Sequence, residues 1–112
     1  MKISQVKELL DAKVICGEED LGRHVYSACG SDMMSDVLAF VKDQAVLLTG
    51  LTNTQVIRTA VMMDMVCVVF VRDKQPTEEM LELARTHGIA ILASPLRLYD
   101  ACGILYTAGL HA

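Results

Sequence analysis

The sequence has no tryptophan, two phenylalanines and three tyrosines, so aromatics make up 4% of 112 residues against 53% hydrophobic residues overall. Its core therefore has to be aliphatic, filled out by the seven methionines. Positive charge is also scarce. Ten lysines and arginines stand against fourteen aspartates and glutamates, a net charge of −4. That balance excludes nucleic acid as the main partner, because holding a phosphate backbone takes a basic face. The longest apolar run, residues 65–71, is far too short to span a bilayer, and no membrane contact is expected. Lys2, Lys7 and Glu8 put charge where a secretory signal would be apolar. Neither glycine-rich phosphate loop is present, which excludes nucleotide binding by the P-loop or the dinucleotide-fold device. Cys16, Cys29, Cys67 and Cys102 are widely spaced in apolar surroundings, as in a reduced, cytoplasmic chain.

What is present is alternation. Residues 45–49 and 65–71 are apolar without polar interruption, the pattern of strands covered on both faces. Ile89, Ala90, Ile91 and Leu92 make a further strand. Between them, Val56, Ile57, Ala60, Val61 and Met63 recur at helical spacing behind Thr52 or Asn53 as cap. Met80, Leu81, Leu83 and Ala84 do so behind Pro76, Thr77, Glu78 and Glu79, with Arg85, His87 and Gly88 closing the helix. Ser94 and Pro95 are expected to start a last helix that buries Leu98, Tyr99, Cys102, Leu105 and Tyr106 and ends at Gly109. Gly103 inside it costs about 1 kcal/mol against alanine. Upstream, Ser4 is expected to cap a short helix with Val6, Leu9 and Leu10 inward, and residues 13–16 and 25–29 read as strands. Met33, Met34, Val37, Leu38 and Val41 mark one buried helix face, and Lys42, Asp43 and Gln44 break it. The order implies an α/β fold: a single small three-layer domain over residues 1–112, with a mainly parallel sheet flanked by helices.

In an open parallel sheet, ligands sit beyond the carboxyl ends of the strands. Four such ends carry polar residues here, and if the strands are neighbours they share one edge, where helix N-termini offer N–H groups to an anion. The candidate ligand-binding residues are Ser31, Asp32, Thr49, Gly50, Thr52, Asn53, Arg72 and Ser94. Thr49, Thr52 and Asn53 suit a phosphate or a sugar, and Arg72 supplies charge. Asp32 works against an anion at its own turn, since its carboxylate competes for the same N–H groups. Taken singly, Ser31, Asp32, Asn53 and Ser94 are better accounted for as helix caps, and it is the shared edge that favours a site. His24, Ser35 and Asp36 are residue types of a hydrolytic triad, but no nucleophile elbow surrounds a serine. Cys16, His24 and Cys29 match no zinc spacing. No catalytic residue, metal site or cofactor is expected.

Several stretches carry a family likeness: Lys2-Ile3-Ser4-Gln5-Val6, Lys13-Val14-Ile15-Cys16-Gly17, Ser31-Asp32-Met33-Met34-Ser35-Asp36-Val37-Leu38, Gly88-Ile89-Ala90-Ile91-Leu92, and the closing helix with Tyr99 and Gly103. Over nearly its whole length the chain resembles a stand-alone DRTGG domain. That family is similar in fold to the N-terminal domain of HPr kinase/phosphorylase and occurs within some phosphotransacetylases and regulatory pyrophosphatases. The resemblance implies a regulatory or assembly module, with a dimer contact in some members. Two motif segments differ. The threonine-glycine-glycine of the family's central strand end is replaced by Val71-Arg72-Asp73, and its aspartate-arginine pair by Leu51-Thr52, with Gly50 kept. The Ser31-Asp32, Ser35-Asp36 turn is typical of small members, and from this comes an expected association with a redox or hydrogenase complex.

The reading that follows is a non-catalytic regulatory or protein-interaction domain, a homodimer that binds a small anionic ligand at the strand C-terminal edge. Self-association fits a small apolar domain with surface to hide. Two alternatives stand beside it: an accessory protein of a larger redox or metabolic enzyme with no ligand of its own, and a small enzyme using Asp32, Ser35 or Asp36 on a phosphorylated substrate.

Overall fold

Four strands of this protein run parallel because a helix after each of the first three returns the chain to the same end of the sheet. The structure, a computed structural model, describes residues 1–40 and 44–112. Helix α1 (Ile3–Leu9) leads into β1 (Lys13–Cys16), a 3₁₀ turn at Glu18–Asp20, β2 (Ser27–Gly30) and α2 (Met34–Phe40). Then come β3 (Ala45–Thr49), α3 (Thr54–Met62), β4 (Cys67–Phe70), α4 (Glu78–His87), β5 (Ala90–Ala93) and α5 (Leu98–Thr107). The sheet order is β1-β5-β4-β3-β2. Strands β2 to β5 are parallel neighbours, and β1 is antiparallel to β5 with an irregularity between Val14 and Cys16.

The apolar runs fill both faces. Val46, Leu48, Val69 and Leu92 pack with Ile3 and Val6 of α1 and Ala101 and Leu105 of α5. Leu47, Val68, Phe70 and Ile91 pack with Val37 of α2, Val56 and Ile57 of α3, and Met80 of α4. The three layers thus follow from two-sided burial of β3, β4 and β5, whose residues are buried throughout. Gly17 packs too closely on β5 to carry a side chain: its φ is +84°, and a Cβ there would lie 2.7 Å from Ala90 Cα.

Several boundaries differ from the expected ones. Lys2, not Ser4, holds the N-cap of α1: the Gln5 and Val6 N–H groups already close on the Lys2 carbonyl, and the Lys2 N–H donates to Gln5 Oε1 at 2.8 Å. Strand β2 starts at Ser27; the Val25 N–H instead donates to the Met1 carbonyl. On α2, Met34 and Val37 are buried while Met33 and Leu38 are exposed. Val41, Lys42 and Asp43 lie outside the described residues. The last helix begins at Leu98, and its inward residues are Ala101 and Leu105. Tyr99 and Tyr106 face out, at 88% and 64% exposure. The chain terminus returns to the sheet: the Ala28 N–H of β2 donates to the His111 carbonyl at 3.0 Å.

The cysteines are all free thiols. Cys67 is enclosed in β4, and burial pushes its thiol far above the ordinary value of 9.0. Burial is also the first cause of the raised values at Cys16, Cys29 and Cys102. Above about pH 9 the unfolded chain gives up thiol protons that the folded chain keeps, so stability is present below that pH and falls above it. Cys67 alone is expected to remove about 1.4 kcal/mol per pH unit on that limb. Urea unfolding at about pH 8 and about pH 10 checks this, and Cys67→Ala should flatten the slope.

Candidate functional site

The carboxyl ends of β2, β3, β4 and β5 lie side by side, because the four strands are parallel neighbours in register. Asp32 leaves the end of β2 and reaches across to β3. Its Oδ1 accepts the Thr49 hydroxyl at 2.9 Å and the Gly50 N–H at 2.7 Å. Thr49 is fully buried, and its Oγ1 in turn accepts the Leu51 N–H at 3.1 Å. One carboxylate thus ties two strand ends together and takes up the Gly50 N–H.

Strand β4 ends in a turn with both central residues left-handed, Arg72 at φ +55° and Asp73 at φ +54°. The Lys74 N–H closes it on the Val71 carbonyl at 3.1 Å. Two positive φ values in succession suit glycine or asparagine and cost other residues about 1 kcal/mol each. The turn is held from the next strand: the Arg72 and Asp73 N–H groups donate to the Leu96 and Ser94 carbonyls at 2.8 and 2.9 Å. The result sends the Arg72 guanidinium over Gly50, where Nη2 would be 2.9 Å from any Cβ and both Asp32 oxygens 3.7 Å. Gly50 is what leaves that space open.

Beside it, Arg97 is the N-cap of α5, in extended backbone and with no side-chain cap of its own. Asp32, Val71, Arg72, Arg97 and Leu98 line a cavity of about 460 Å³. The two ion pairs among the described residues are Arg23–Asp20 and Arg85–Glu78, so neither Arg72 nor Arg97 is paired. Two exposed cations, one carboxylate and an uncapped helix N-terminus therefore face one cavity. Such a set can take up anionic oxygens through the arginines and a donor through Asp32.

The expected site residues divide accordingly. Asp32, Thr49, Gly50 and Arg72 are brought together. Ser31 serves its own turn, accepting the Met33 N–H at 3.0 Å. Asn53 caps α3 by accepting the Val56 N–H at 3.3 Å. Thr52 is half-buried on the same strand end and outside the cavity lining. Ser94 is not a helix cap: it is fully buried, donates to the Leu10 carbonyl at 2.6 Å and accepts the Leu96 N–H at 3.2 Å. Arg97 is the residue that sequence reasoning missed, because Ser94-Pro95 resembles a helix start three residues too early. A second arginine just past the next strand end was the available signal. Among the described residues no group of three or more His, Cys, Asp or Glu side chains is placed to hold a metal, and no helix is long and apolar enough to cross a membrane.

Residues 5–108 match the DRTGG domain family. The chain belongs to that family. In this DRTGG domain Arg72 and Asp73, both at positive φ, stand where the resemblance expects the family's paired glycines. A comparison with curated protein sequences finds no match. A solved structure with the same fold is that of the CBS and DRTGG domains of the regulatory region of Clostridium perfringens pyrophosphatase, complexed with its activator diadenosine tetraphosphate. The TM-score is 0.75 at 16% identity over 93% of this chain. The match takes up 45% of that chain, so this DRTGG domain spans less than half of the regulatory protein it resembles.

Proposed function

We propose that this DRTGG domain is a non-catalytic regulatory module of a reducing, cytoplasmic compartment. It works as a homodimer and takes a small phosphate-bearing anion at Arg72 and Arg97. The observation that carries the reading is the pair of unpaired arginines facing one cavity at the N-terminus of α5. In a chain of net charge −4, two cations placed together, neither in an ion pair among the described residues, are a local exception. Asp32 has its Oδ1 committed to Thr49 and Gly50. Asp32 also lines the cavity, which favours a ligand with a hydroxyl or amino group next to its anion. The regulatory setting of the pyrophosphatase relative supports the same reading.

Thermal unfolding with inorganic phosphate, nucleoside mono- and polyphosphates and diadenosine tetraphosphate tests it. A ligand present at a hundred times its dissociation constant is expected to add about 2.7 kcal/mol. Raised salt should weaken the effect, and Arg97→Gln should reduce it. No shift with any of these anions, with the wild-type chain folded, overturns the ligand. Light scattering that gives a monomer at about micromolar concentration overturns the homodimer.

A further inference from the structure

We infer that Ser94 is the positioning residue of the anion cavity: it sets where Arg72 and Arg97 stand while its own side chain lies outside the lining. This rests on the anion reading proposed above and names what holds that site in shape. Ser94 is fully buried and does not line the cavity. All of its polar groups are nonetheless committed, and each leads to a different segment. Its N–H donates to the Phe70 carbonyl of β4 at 2.8 Å, and its carbonyl accepts the Asp73 N–H at 2.9 Å. Its hydroxyl donates to the Leu10 carbonyl at 2.6 Å and accepts the Leu96 N–H at 3.2 Å.

These bonds lead to both arginines. The hydroxyl folds the loop back through the Leu96 N–H, and the Leu96 carbonyl then accepts the Arg72 N–H at 2.8 Å. Arg72 and Asp73, at φ +55° and +54°, hold a conformation that neither residue favours by itself. Contacts from outside the turn have to maintain it, and the Ser94 and Leu96 carbonyls are those contacts. The same loop then delivers Arg97 to the N-cap of α5. The anchor of the whole arrangement is the Leu10 carbonyl at the C-terminal end of α1. Alanine at 94 would strand that carbonyl and release the Leu96 N–H. The loop would lose its fixed point, and the two cations their common reference. Binding groups keep a productive geometry only while such supporting hydrogen bonds lock them.

Calorimetric titration with inorganic phosphate tests the inference, on chains that circular dichroism shows to be folded at the temperature used. The set is the wild type, Ser94→Ala, Arg97→Gln, the double variant of these two, and Val56→Ala. Val56 is buried in the opposite layer, so its truncation lowers stability without touching the cavity. Ser94→Ala should raise the phosphate dissociation constant about tenfold, the low end of what loss of a supporting hydrogen bond costs a bound ion. Val56→Ala should leave it unchanged. The double variant should fall short of the product of the two single effects, because Ser94 acts partly through Arg97. Ser94→Cys keeps the volume and weakens both hydrogen bonds. It should bind between Ser94→Ala and the wild type, and it carries the test alone if Ser94→Ala does not fold. A wild-type chain that binds no phosphate overturns the anion reading and this inference with it. Phosphate binding by the wild type that the Ser94 variants leave unchanged overturns the role of Ser94 alone. So does an equal loss in Val56→Ala, or single effects that multiply in full.

Discussion

Asp32→Ala is expected to lower the unfolding free energy by about 2 kcal/mol, the largest loss of stability that a single side chain at this edge should produce. The alanine leaves the buried Thr49 hydroxyl and the Gly50 N–H without the carboxylate oxygen they share at 2.9 and 2.7 Å. A donor stranded in the protein costs about 1–3 kcal/mol, and the exposed position of Asp32 lets water recover part of it. Asp32→Asn keeps an acceptor at the same place and should cost less than half as much. The two variants separate further on ligand. Removing the negative charge without removing the acceptor should tighten phosphate binding by about fivefold in Asp32→Asn. In Asp32→Ala that gain is offset by a looser strand end. Chemical denaturation and phosphate titration of both variants check the pair of outcomes. Equal stability of Asp32→Ala and wild type would remove the tie between β2 and β3 from the account.

Arg72→Gly should do the opposite on the two readouts. Glycine accepts the φ of +55° that arginine adopts here, and placing it at this position should add about 1 kcal/mol of stability, net of the greater freedom of the unfolded chain. The same change removes one of the two cations in the cavity and should weaken phosphate binding by about 10- to 100-fold, the effect of losing a charge-assisted contact. Denaturation midpoints and a phosphate titration read the two effects independently. A variant that is more stable and blind to anions would identify the strained turn as a binding element. Lower stability with unchanged binding would assign Arg72 a packing role instead.

The layers and the parallel direction of β3, β4 and β5 were legible in the sequence, because residues 45–49 and the apolar run ending at Val71 have no polar face and helical segments alternate with the strands. The antiparallel placement of β1 was not legible: four residues, Lys13–Cys16, carry too short a pattern to give direction. At the candidate site, the sharing of one edge by Asp32, Thr49, Gly50 and Arg72 was legible from the strand ends alone. The hydrogen bonds among them were not. Asp32 and Thr49 are 17 residues apart, and only the register of β2 against β3 brings them into contact. Arg72 gave no sign of its left-handed backbone, since arginine does not favour that conformation and the turn is imposed by carbonyls of residues 94 and 96. Arg97 was hidden by a tertiary effect. The Ser94 hydroxyl, a good local cap, is claimed instead by the Leu10 carbonyl, and the helix starts later for that reason.

The His111 carbonyl that accepts the Ala28 N–H bears on how this protein avoids uncontrolled assembly. A sheet with two open edges invites another strand to add to it, and successive additions lead to fibres. Here β2 has part of its outer edge taken by the returning tail, while β1 at the other side is four residues long and irregular between Val14 and Cys16. Neither edge is a long, flat template. Growth by strand addition is thus disfavoured at both ends.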